Sequence, residues 1–242
     1  MTNRPTSPAG RALTVALRGI FFLLVAAGCA PRGPSTPEQK GRGVYAAYDC
    51  KRCHRVGAEG GDTGPDLTFV GFRKSPEFLA LWLKDPSAWQ PNTLMPNFHL
   101  NDEARTQLAA YLGTLKGEAY RGAAGAPWDR AELKGDPLKR GAEIYRRAGC
   151  VTCHGEGGKG GYANNNAVGG KVPAVEKARE GFSRAELVKR ISDGMAHPGK
   201  ADPAGPEPML TMPAWKDALT PEEIGAVADY LLSLAPASKE DW

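Results

Sequence analysis

Two thiols three residues apart, each pair followed at once by an imidazole, occur twice: Cys50-Lys51-Arg52-Cys53-His54 and Cys150-Val151-Thr152-Cys153-His154. Three chemistries use this spacing. A dithiol oxidoreductase places CxxC at the start of a helix in a strand–helix–strand setting, and no strand pattern precedes either copy. A structural zinc site needs four nitrogen or sulfur ligands, so His99 or His197 would have to complete each set. Covalent haem attachment uses all three residues with nothing left over. Each thiol adds to one vinyl group, and the adjacent His turns back to ligate the iron.

The two copies are in register at an offset of 100. Gly41 matches Gly141, Tyr45 matches Tyr145, and Gly60 and Gly61 match Gly160 and Gly161. Self-similarity at so long a period means two tandem copies of one domain. The expected order is an export signal over 1–28, a tether over 29–39 and a first domain over 40–116. A linker over 117–137, a second domain over 138–235 and a polar tail over 236–242 follow. Domains this small, in a chain with 30 Gly and 20 Pro, bury little apolar surface of their own, and a large bound cofactor would supply the rest.

The elements that must position the motifs are helices. Ser75-Pro76-Glu77 opens one with Phe78, Leu79, Trp82 and Leu83 on its apolar side, stopped by Asp85-Pro86. Asn101-Asp102-Glu103 opens another, with Leu108, Tyr111, Leu112 and Leu115 spaced for one face. Ser183 with Glu186, and Thr220 with Glu223, form capping boxes. Alternating Val/Ile runs are absent, so no sheet is expected. The fold class is all-α with long loops, each unit reading helix, CxxCH, long loop, helix, loop, closing helix.

The mature chain resembles two class I cytochrome c domains in tandem. The resemblance rests on "GVYAAYDCKRCH" and "AEIYRRAGCVTCH", on "GPDL" at 64–67, "LMPNF" at 94–98 and "TMPAW" at 211–215, and on the two closing helices. It implies haem c, two copies, held by Cys50, Cys53, Cys150 and Cys153, with His54 and His154 as iron ligands. It implies that Pro65 presents its carbonyl to the ligating His, as would Pro173 in "GGKVPAV" over a longer spacing; such a bond orients the ring and raises its basicity. The closing helix would cross the first, which accounts for Gly41, Gly141, Tyr111 and Tyr230. As sixth ligand the resemblance places Met95 in the first domain, with His99 the rival. In the second domain Met212, followed by Pro213 as Met95 is by Pro96, is chosen over Met209, Met195 and His197. A Met there stabilises Fe(II), whereas an open position binds oxygen species.

Arg4, Arg11 and Arg18 precede the apolar run Gly19–Ala27, which has the layout of an export signal and is short for a bilayer span of ~20 residues. The unpaired fifth cysteine, Cys29, follows Ala26-Ala27-Gly28. That resembles a bacterial lipoprotein signal, with Cys29 as the lipid-bearing first residue. Ordinary cleavage near Ala30 and an uncleaved anchor starting near Ala12 are the alternatives. The formal charge of +4 falls once the signal is removed, to 28 basic against 27 acidic groups. No basic stripe with interleaved aromatics occurs, which excludes nucleic acid as a partner.

The function these features imply is a dihaem electron carrier on the periplasmic side of a bacterial membrane, anchored by lipid or by its N-terminal segment. Its redox partners would be a quinol-oxidising complex or dehydrogenase and a terminal oxidase or reductase, or it would be a cytochrome subunit of such a complex. It would not itself be an enzyme. The alternative is a dihaem peroxidase-like enzyme with one open haem and a distal acid–base group.

Overall fold

The computed structural model describes residues 35–122 and 125–234; the expected export signal, Cys29 with the start of the tether, and the 236–242 tail lie outside these residues. Among the described residues six helices of nine or more residues carry the architecture. They are α1 (Pro37–Ala47), α2 (Pro76–Lys84), α3 (Asp102–Gly113), α4 (Pro137–Arg147), α5 (Arg184–Asp193) and α6 (Pro221–Ser233). Each begins at a side chain that accepts from an otherwise orphaned backbone N–H. Ser75 caps α2, Asn101 caps α3 and Asp136 caps α4, while Thr36–Gln39, Ser183–Glu186 and Thr220–Glu223 are reciprocal boxes on α1, α5 and α6. Such a cap stabilises a helix by about 1 kcal/mol. The box at Thr36 starts α1 inside the stretch expected to be tether.

In each half the first helix crosses the closing helix at backbone contact. A Cβ on Gly41 of α1 would land on the Gln107 carbonyl of α3, and one on Gly141 of α4 would land on the Ala226 carbonyl of α6. Only glycine permits that approach. Beside each crossing two tyrosine rings meet, Tyr45 with Tyr111 at 5.6 Å and Tyr145 with Tyr230 at 5.4 Å between centroids. Strand structure is confined, among the described residues, to a two-residue hairpin pairing Arg55–Val56 with Glu59–Gly60 and to three isolated bridges between loops. The fold is all-α.

The 117–137 stretch is not a free linker. Glu118–Arg121 forms a helical turn and Pro127–Asp129 a 3₁₀ turn, and Tyr120 and Trp128 are only 7% and 2% exposed. Both rings lie against Phe69, which also meets Trp215 at 6.0 Å between centroids. Trp128 Nε1 donates to Glu223 Oε1 at 2.6 Å. Tyr120 and Trp128 lie eight residues apart in a stretch broken by Gly122, Gly125 and Pro127, so the sequence alone reads as a linker. Each still gains on the order of 1.5–3 kcal/mol by burial. One apolar cluster therefore runs from the first half into the second, and the described residues pack as one unit. A charged seam flanks it: Arg147 Nη1 donates to Asp62 Oδ1 at 2.6 Å, and Arg55 holds the same carboxylate at 3.1 and 3.0 Å.

Candidate cofactor-attachment sites

In the first unit Cys50 opens a single 3₁₀ turn, Cys50–Arg52, entered through a left-handed Asp49. The amides of Cys53 and His54 both donate to the Cys50 carbonyl, at 3.2 and 3.0 Å. One turn therefore sets both thiols and the imidazole beside each other. Lys51 and Cys53 carbonyls accept from Gly61 and Gly64 at 2.9 Å each, which folds the following loop back over the motif. His54 Nδ1 then lies 2.8 Å from the Pro65 carbonyl oxygen.

The second unit repeats this with other means. Val151–His154 is one helical turn, with His154 N donating to the Cys150 carbonyl at 2.9 Å. The imidazole meets its carbonyl 19 residues on rather than 11, His154 Nδ1 lying 3.0 Å from Pro173 O. Val172 N donates to Tyr162 O and Gly161 N to Val172 O, so the longer loop is folded in half and returns to the same place.

A carbonyl only accepts, so Nδ1 of each ring carries the proton and Nε2 keeps its lone pair for a metal. Burial holds both imidazoles below the usual histidine range; the Pro65 and Pro173 carbonyls oppose it. The neighbouring charges differ in sign. His54 feels the Asp66 carboxylate, whereas His154 feels the Lys74 ammonium.

Cys50, Cys53, Cys150 and Cys153 are all free thiols. Burial pushes the Cys50 thiol up, and pushes Cys150 up to about 12. A thiol-exchange nucleophile needs the opposite shift. Among the described residues no three His, Cys, Asp or Glu side chains converge on a common point, and His99 and His197, which would complete zinc sets, are exposed. Paired thiols beside an imidazole whose Nε2 is free do fit a covalently attached haem.

Met95 is half-buried on the loop before α3, where its Sδ accepts from Trp82 Nε1 of α2 at 3.1 Å. In the second unit Met212 packs against the apolar cluster. Its backbone exchanges hydrogen bonds with Met195, at 2.8 and 3.1 Å, so the two face each other across an antiparallel bridge; Met195 is the exposed member, at 38%. The loop carrying Met209 and Met212 is held by three successive amides. Asn164, 4% exposed, bonds both the N–H and the carbonyl of Leu210. Asn165 accepts from Met209 N at 2.9 Å, and Asn166 donates to the carbonyls of Asp202 and Pro206 and accepts from Asp202 N. From sequence "YANNNAVGG" reads as a polar loop. The overlooked signal is three consecutive residues that each offer a donor and an acceptor at loop range.

The pattern that defines the Cytochrome c family matches residues 38–116 and 138–235. The FixP subunit of the cbb3-type cytochrome c oxidase of Azorhizobium caulinodans is 28% identical over 200 residues, covering 79% of this chain and 58% of its own. The FixP subunit of Bradyrhizobium diazoefficiens is 34% identical over 101 residues, 42% of this chain and 29% of its own. Cytochrome c oxidase subunit 2 of Alkalihalophilus pseudofirmus is 32% identical over 90 residues, 34% of this chain and 26% of its own. The chain thus spans less than two thirds of each of these relatives. The reducing HAO-like protein complex of Kuenenia stuttgartiensis aligns over 84% of this chain at 18% identity, with a TM-score of 0.28.

Proposed function

Because the chain belongs to the cytochrome c family, we propose that both CxxCH units carry haem c and that the protein passes single electrons between respiratory redox complexes. The observation that carries this reading is the repeated pairing of a CxxCH imidazole with a proline carbonyl, at 2.8 Å in one unit and 3.0 Å in the other. When bound, haem c supplies a one-electron iron couple. The chain's own residues hold and shield it. Cys50, Cys53, Cys150 and Cys153 provide the attachment sulfurs, and His54 and His154 offer Nε2 to the iron. Met95 and Met212 would hold the iron through their soft thioether sulfurs, and this donor would favour Fe(II), so the reading is a carrier rather than a peroxidase. Relatives that are oxidase subunits support a terminal oxidase among the partners, and a quinol-oxidising complex or dehydrogenase belongs to the same proposal.

Tethering on the periplasmic face through a lipid on Cys29 belongs to the same proposal, resting on Ala26-Ala27-Gly28-Cys29. One acyl chain holds a protein only marginally, whereas two or more anchor it stably. Among the described residues no helix is long and apolar enough to cross a membrane. Intact mass and the pyridine haemochrome of the exported protein test the core of the reading. Two haems that survive denaturation are expected, and a protein with one or none sinks it. Cys29→Ser should abolish the lipid mass; an unmodified N-terminus in the wild type removes the lipoprotein reading alone.

A further inference from the structure

Arg73 and Lys74, just before α2 in the first half, reach across to the second attachment motif. Arg73 Nη1 donates to Thr152 Oγ1, between the two cysteines, at 2.7 Å, and its Nη2 donates to the Asp66 carbonyl at 3.2 Å. Its Nε is buried with no partner. Gly149, the residue before Cys150, makes room for this: a Cβ there would sit 2.7 Å from the same Nε. Lys74 goes further in. It is 9% exposed, its Nζ lies 3.4 Å from Cys153 Sγ, and it stands over the rings of Phe78 and Tyr162 at 4.7 and 5.1 Å from their centroids.

Neither cation is within ion-pair distance of a carboxylate among the described residues. Asp66 is engaged elsewhere, by the Tyr120 hydroxyl, the Thr68 amide and Arg147. Burial holds the Lys74 ammonium below the usual lysine range, while the two aromatic faces favour its charged form. Its charge acts on whatever is attached at Cys153. The two units differ here in sign, since the charge acting on His54 is a carboxylate and that acting on His154 is this ammonium.

We propose that Lys74, contributed by the first half, raises the reduction potential of the haem attached at Cys150 and Cys153, making the second unit the electron-accepting end of the pair. A positive charge held in a low-dielectric interior favours the form carrying one more electron. Arg73 keeps the two halves in the register that places Lys74 there. The proposal rests on two haems being attached, which intact mass establishes separately before any potential is read.

The test is an optical redox titration of the full-length, haem-loaded protein as wild type, Lys74→Met and Lys74→Arg. The full-chain double variant Cys50→Ala, Cys53→Ala, carrying only the second haem, assigns the spectra. Lys74→Met keeps the bulk and removes the charge, so at a fixed potential the second haem should shift about tenfold toward the oxidised form, about 59 mV for one electron. The first haem should move far less, and Lys74→Arg should retain most of the wild-type value. An unmoved second haem, an equal shift of both haems, or a Lys74→Arg shift as large as that of Lys74→Met overturns the proposal. If Lys74→Met does not fold, Lys74→Gln is read by the same criteria.

Discussion

The two units share a motif and differ in how they hold the methionine expected opposite the histidine. In the first, 11 residues separate His54 from its carbonyl, and Met95 is met by one donor, Trp82 Nε1, from a capped helix. In the second the separation is 19 residues, and the loop bearing Met212 is held by the Met195 bridge and the Asn164, Asn165 and Asn166 amides. Ordering each added loop residue costs about 1–2 kcal/mol of backbone entropy. The first methionine loop is tied by Trp82 and by Asn97, whose amide donates to the Lys84 carbonyl, whereas the second is held by bonds from three successive asparagines to distant loop backbone. The motif therefore tolerates loops of different length, provided the proline carbonyl returns to Nδ1.

The comparison breaks most sharply at the methionines themselves. Met95→Ala and Met212→Ala should each open one iron, so that each variant binds carbon monoxide at one haem while Met195→Ala and Met209→Ala bind none. Carbon monoxide difference spectra read this directly. Binding by Met195→Ala would hand the second ligand to the exposed partner of the bridge.

Next in size is Asn164→Ala. It leaves the buried N–H and carbonyl of Leu210 unpaired, which should cost about 2–3 kcal/mol. Thermal unfolding should fall accordingly, and the second haem alone should lose its methionine charge-transfer band. Loss of the first haem's band instead would mean that the amides do not act on the second loop.

Trp82→Phe should be milder, about 1 kcal/mol for one hydrogen bond to Met95 Sδ. Exogenous imidazole should then displace the first haem's methionine several-fold more readily and leave the second haem unaffected. Equal displacement at both would deny Trp82 its local role.

The smallest effect lies in the seam between the halves. Hydrogen bonds from Arg55 and then Arg147 hold the Asp62 carboxyl well below the usual carboxylate range. Its contribution is thus present above the unfolded value of about 3.9 and is lost as pH falls through the lower folded value. Asp62 is half exposed, so the contribution is modest. Wild type and Asp62→Asn should differ slightly in thermal midpoint at pH 7 and converge in strong acid. A gap that widens on acidification would contradict this.

Much of the fold is legible in short stretches. The caps at Ser75, Asn101, Ser183 and Thr220 start helices where their types and spacing indicate, because a cap is a contact between residues three apart. The register of the two CxxCH copies likewise marks two units. The start of α1 was legible too, in Thr36 and Gln39, and was obscured by the Pro-rich stretch around it.

What the sequence by itself determined, then, is local: the attachment motifs, the duplicated order of helices and the small residues where helices cross. The tertiary structure alone decided that Tyr120 and Trp128 fuse two halves into one unit. It alone placed Trp82 on Met95, Asn164 on Leu210, and Lys74 against Cys153. The last of these contacts joins residues 79 apart. Spacing along the chain constrains partners within a turn or two, whereas contacts at that range depend on which surfaces remain uncovered after the helices have packed.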